Sequence, residues 1–148
     1  MKRFAILASC GILSCLLVGS AFAADCLPTL RKGWIRVPPG GMQMMLAGFG
    51  RIENRCTAAA TIIGAHSTAF ADVSVHRTSL VDGISRMREV PELQVDAHGA
   101  AVFEPGALHL MLMQPGKPLK AGDHVAIDFR LQDGRHFRGD FVVKPIGG

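Results

Sequence analysis

Apolar and polar positions alternate with a period of two along most of this chain. His124 to Leu131 shows it most cleanly, with Val125, Ile127, Phe129 and Leu131 on one side and Ala126, Asp128 and Arg130 on the other. That period marks a half-buried strand. Asp72 to Thr78 repeats it, Val73 and Val75 facing one way and Ser74, His76 and Thr78 the other. Arg135 to Val143 places Phe137 and Phe141 on one face, and Trp34–Val37, Met44–Asn54, Ala58–Ala65, Ile84–Val90 and Ala100–Glu104 read as further strands. Gly48 and Gly50 inside the second of these point to a bulge or a close backbone contact. Turn residues separate the runs: Pro38-Pro39-Gly40-Gly41, Asp82-Gly83, Pro105-Gly106, Gln114 to Pro118 and Asp133-Gly134. Eight or nine short strands spaced about ten residues apart, with no long helical period, predict an all-β domain closing as a Greek-key sandwich or barrel.

One strand carries more than packing. In Leu108 to Met113, the three leucines share one face, which should be the core, and His109, Met111 and Met113 share the other. An imidazole and two thioethers on one strand face form a soft-metal arrangement. Asp82-Gly83 is a tight hairpin signal, so His76 before it and Met87 after it stand on two arms of one hairpin and can meet across it.

The start of the chain changes the charge and cysteine arithmetic. Residues 1–23 read as a secretory signal, with Lys2 and Arg3, an apolar run from Ala5 to Val18, and Ala21-Phe22-Ala23 as the cleavage site. The apolar run is short for a membrane span and no stop-transfer charges come after it. The mature domain is then residues 24–148, a single exported unit with no span of its own and periplasmic by location. A competing processing starts at Leu7-Ala8-Ser9-Cys10, which resembles a lipobox; only six residues separate Arg3 from Cys10. Without the signal the balance falls to 14 basic against 12 acidic residues, or +2, too weak for a nucleic-acid footprint. Cys26 and Cys56 remain, and two cysteines in an exported chain fit one structural disulfide. A redox or metal thiolate pair is the alternative, although no C-x-x-C spacing is present to lower a thiol pKa.

The spacing of the candidate ligands is specific. Ten residues separate His76 from Met87, twenty-one separate Met87 from His109, and one separates His109 from Met111. This order matches the copper-binding motif of the PCu(A)C-type periplasmic copper chaperones, and the chain resembles that family from about Gly33 to Val143. Gly33-Trp34-Ile35-Arg36, Ala47-Gly48-Phe49, Arg86-Met87-Arg88 and Pro105 through Met113 carry the likeness. The resemblance implies a cupredoxin-like fold, a Cu(I) site made by His76, Met87, His109 and Met111, and delivery of copper to the binuclear centre of a cytochrome c oxidase subunit, alongside a Sco-like thiol protein. It implies a carrier and not an enzyme. Two imidazoles and two thioethers are neutral, soft ligands, which suit Cu(I) better than Zn(II).

Departures from the family narrow the expectation. Many relatives place a Met just after the first His, where this chain has Arg77 and Thr78, and the His- and Met-rich tail of some relatives is missing. One Cu(I) per chain and a monomer are therefore expected. Met113 is the candidate accessory ligand. Met42, Met44 and Met45 read as core or partner-surface residues, and His66, His98, His124 and His136 as solvated. A blue-copper carrier would need a Cys thiolate close to a His, and Cys56 is followed by Thr57-Ala58-Ala59-Ala60. Hydrolase motifs are absent. Copper scavenging or storage, and a metal-free interaction module, are the alternative functions on fold grounds.

Overall fold

A computed structural model describes residues 26–40 and 43–146. The signal region with Cys10, and Met42, lie outside the described residues. The described residues form ten strands: β1 (Thr29–Val37), β2 (Met45–Glu53), β3 (Ala60–His66), β4 (Phe70–Val81), β5 (Ile84–Glu89), β6 (Leu93–Val95), β7 (Ala100–Phe103), β8 (Leu108–Pro115), β9 (His124–Leu131) and β10 (His136–Pro145). The all-β expectation holds, and the count exceeds it. β6 is an additional short strand, β1 begins at Thr29 instead of Trp34, and β4 begins at Phe70 instead of Asp72 and continues past Thr78 to Val81.

The strands form one sheet in the order β5-β4-β8-β2-β1-β10-β9-β3-β6, with β7 added to β2. β1 and β10 run parallel, and the other ladders are antiparallel. The sheet curls until β3, near one end, lies beside β4, near the other. A cleft lined by Ile63, Gly64, Asp72 and Ser74 separates them in place of a full ladder. The result is the cupredoxin-like barrel that encloses a single core.

Side-chain alternation explains how that core fills. Leu108, Leu110 and Leu112 point into it, as do Val125, Ile127, Phe129 and Leu131. Phe137 stacks on Phe129 with ring centroids 4.9 Å apart, and Phe141 packs at 6.4 Å. The hairpin turn expected at Asp82-Gly83 is formed, both residues in the left-handed region with φ of 53° and 74°, the backbone of a two-residue I′ turn. The close contact expected at Gly50 is also present: a Cβ there would stand 3.1 Å from the Gly33 Cα and 3.2 Å from the Arg31 carbonyl oxygen. It sits beside a register shift in β1 between Arg31 and Trp34.

Asn54, just beyond β2, is fully buried and organises the end of the barrel remote from His109. Its Nδ2 donates towards the carbonyls of Ala58, Val95 and Asp96, and its Oδ1 accepts from the Cys56 amide. Cys26 and Cys56 form a disulfide in the same region, joining the segment before β1 to the loop after β2. With both sulfurs in the disulfide, neither is a thiolate ligand in this structure.

Candidate metal centre

β8 lies between β4 and β2, and its register decides which side chains meet. His109 stands directly opposite His76 of β4, and Met111 opposite Ser74 of β4 and Ala47 of β2. Met113, one row further, is opposite Asp72 and Met45. All three point away from the leucine core. The outer face is nevertheless covered: His109 is 7% and Met111 9% exposed.

The cover comes from the β4–β5 hairpin, whose β5 is exposed along its whole length. Met87 is paired with Thr78 across the hairpin and reaches back to His109, its Sδ 3.2 Å from Nε2. On the other side of the ring, Nδ1 lies 2.9 Å from the Ala107 carbonyl oxygen. A carbonyl can only accept, so Nδ1 carries a proton, and in the neutral ring Nε2 presents its lone pair. In that form the lone pairs of nitrogen and sulfur face each other. A shared cation satisfies that arrangement, and the carbonyl that fixes the tautomer is the outer-shell partner ligating histidines ordinarily have. Metal–nitrogen and metal–sulfur bonds of about 2.0 and 2.3 Å sum to more than 3.2 Å, so an ion would lie off the line joining the two atoms.

His76 and His109 have ring centroids 6.2 Å apart. The His76 Nε2 is hydrogen-bonded to Ser74 Oγ at 3.1 Å, a contact it would give up to join a common ion. Met87, His109 and Met111 line one cleft of about 410 Å³, together with Arg36, Ala47, Phe49 and Met45. Among the described residues no carboxylate lines it. Arg36 lies over the Phe49 ring at 5.3 Å and Phe49 packs against Trp34 at 4.6 Å, forming a rigid wall on the β1–β2 side. The carboxyl groups held below their ordinary pKa are elsewhere: Glu53 by hydrogen bonding with Arg55 and Arg51, Asp128 by Arg138, and Asp133 by Arg135.

The structure therefore brings Met87, His109 and Met111 into one cleft, with His76 opposite His109 on β4; His76 and the half-buried Met113 both stand beside the cleft and outside its lining. His66, His98, His124 and His136 are exposed, as expected. Met44 and Met45 are surface and not core residues, because Leu46 takes the inward position of β2. Met45 lines the cleft, a placement the strand pattern did not reveal.

Residues 28–143 match the family described as "Putative lipoprotein LpqE-like". A Leifsonia xyli subsp. xyli protein named as a "Putative lipoprotein" is 31% identical over 118 residues, covering 79% of this chain and 69% of that protein. The solution structure of the Cu(I) form of DR1885 from Deinococcus radiodurans superposes with a TM-score of 0.64 at 27% identity, covering 82% of this chain and 81% of that one. The copper-bound PCuAC domain from PmoF2 superposes with the same score at 16% identity, covering 80% and 92%. The fold is that of the PCuAC domains, in agreement with the resemblance in sequence.

Proposed function

The chain belongs to the LpqE-like family, and from that premise we propose that it is an exported copper metallochaperone binding one Cu(I) through His76, Met87, His109 and Met111. One observation carries the reading: the His109 ring is held by the Ala107 carbonyl so that its free Nε2 faces the Met87 sulfur at 3.2 Å. The Cu(I)-bound DR1885 and copper-bound PCuAC relatives support it.

The four ligands have different tasks. His109, buried and pre-oriented, anchors the ion. Met111 sits beside it on the same strand face. His76 completes the set by leaving Ser74. Met87 is 50% exposed on a projecting hairpin, so it is the ligand most readily displaced by an incoming donor. All four are neutral and, among the described residues, no carboxylate lines the cleft, which favours a soft monovalent ion over a hard divalent one and avoids a strongly held charge cluster. Such a site suits a carrier, not an enzyme. Its acceptor, by family resemblance, is a cytochrome c oxidase subunit or a Sco-like protein. The protein works as an exported monomer in the periplasm, and the lipoprotein descriptions of the relatives favour Cys10 as an anchoring point over cleavage after Ala23. Among the described residues no helix is long and apolar enough to cross a membrane.

The test is anaerobic titration with Cu(I) against a competing chelator, read by native mass spectrometry. One Cu(I) per chain, held more tightly than Zn(II), is the expected result; tighter zinc would reject the proposal.

The ligand set can be tested inside one strand. Met111 is two residues from His109, about 6–7 Å along β8, and Met113 is twice as far. Met→Leu nearly conserves volume and costs under about 1.5 kcal/mol of stability at either place. Met111→Leu should weaken Cu(I) binding about tenfold, or about 1.4 kcal/mol, and Met113→Leu much less. Chelator competition on both variants, with X-ray absorption to count sulfur ligands, decides it. Equal losses would make Met113 a resident ligand.

A further inference from the structure

Met45 is a third thioether at the cleft, outside the motif. It lines the same cleft as Met87, His109 and Met111. In register it stands opposite Met113, while Ala47, two residues on, stands opposite Met111. Met45 is therefore the diagonal neighbour of Met111 on the same sheet face, about 7–8 Å away and within reach of a long side chain. It is 55% exposed, so its side chain is free to move between the cleft and solvent. Met44 next to it is 54% exposed and does not line the cleft. Met87 reaches His109 from the hairpin, and Met45 approaches Met111 from β2, the opposite wall.

We propose that Met45 is a relay ligand, taking Cu(I) together with Met111 while the ion enters or leaves the four-residue site. The inference rests on the Cu(I) reading of that site. The step is a one-for-one ligand exchange: the copper–sulfur bond to Met45 forms as the bond to Met87 breaks, Met111, His109 and His76 stay bound, and copper remains Cu(I), with no proton or electron transferred. The soft sulfur of an exposed methionine suits this task, because it binds Cu(I) without adding charge and, unbranched, can swing between cleft and solvent.

The adjacent methionines provide the control. In copper transfer to bicinchoninate under anaerobic conditions, Met45→Leu should slow the transfer by at least about fivefold while equilibrium affinity stays within about twofold and stoichiometry stays at one. Met44→Leu should change neither. Methyl-labelled methionine NMR gives an independent readout. The Met87 and Met111 methyls should shift with one equivalent of Cu(I), the Met45 methyl should broaden by exchange, and the Met44 methyl should stay unmoved. Unchanged transfer in Met45→Leu, or a silent Met45 methyl while Met87 and Met111 respond, overturns the relay and leaves the copper site standing. A loss of equilibrium affinity equal to that of Met111→Leu also overturns it, by making Met45 a resident ligand. Silence of all four methyls overturns the copper reading and the relay together.

Discussion

His109→Asn is expected to weaken Cu(I) binding by at least about a hundredfold, about 2.7 kcal/mol, in a protein that still folds. Asparagine is chosen because its side-chain amide can donate to the Ala107 carbonyl much as Nδ1–H does now, while nothing replaces Nε2. The substitution thus separates the hydrogen bond from the ligand. Loss of a ligand should exceed the tenfold to hundredfold losses typical of outer-shell changes, and Met87 is left with no nitrogen beside its sulfur. The barrel should tolerate the change, since the ring lies on the outer face and Leu108 and Leu110 on either side hold the core. Thermal melting by circular dichroism checks folding, and chelator competition reads the affinity. Affinity kept within about threefold of the parent would mean that His109 does not anchor the ion, and the proposed role of its free Nε2 would fall.

Much of this arrangement is legible in the sequence. β8 and β9 follow strict alternation, and Asp82-Gly83 announces the hairpin that carries Met87 over His109. The ligand spacing points to four residues that the register places together. What escapes has local causes. β6 holds only Leu93-Gln94-Val95 between Pro91 and Asp96, too short to show a period. The first residues of β1 are ordered by pairing with Glu53, Ile52 and Arg51 and pass through a bulge, so their alternation is broken. Asn54 reads as the last residue of a strand, and only the folded chain shows three carbonyls converging on its amide. Met45 escapes for a different reason. Both faces of β2 carry apolar residues, Met45, Ala47 and Phe49 on one and Leu46 and Ile52 on the other. The parity of that strand is therefore ambiguous until its neighbours are known. Likewise, no spacing rule could indicate the Ala107 carbonyl, which sets the tautomer of the most important ligand.

Removing the Cys26–Cys56 disulfide is expected to cost about 3–4 kcal/mol of stability and to leave the copper site intact. The bond spans a sequence separation of 30 residues, and the closure entropy of a loop that size corresponds to that range. Its position keeps the effect local. The disulfide lies past the Glu53 end of β2, and the cleft is lined by Met45 to Phe49, its near edge about 13 Å from Glu53 along the strand. Without it, the start of β1 loses its tether, and its pairing with Arg51, Ile52 and Glu53 should fray first. Other contacts still hold both cysteine positions: Arg135 donates to the Cys26 carbonyl, the Cys56 amide donates to Asn54, and the His98 amide donates to the Cys56 carbonyl. The protein should therefore remain folded with a lower melting temperature. The doubly substituted Cys26→Ser, Cys56→Ser chain is the right material, because thiol reductants would compete for Cu(I). Urea unfolding of that variant should show the loss of stability, and chelator competition should return one Cu(I) per chain with affinity within about twofold of the parent. A variant that folds but no longer holds copper would place the sulfurs of Cys26 and Cys56 in the functional site and would refute the separation of the two ends of the barrel.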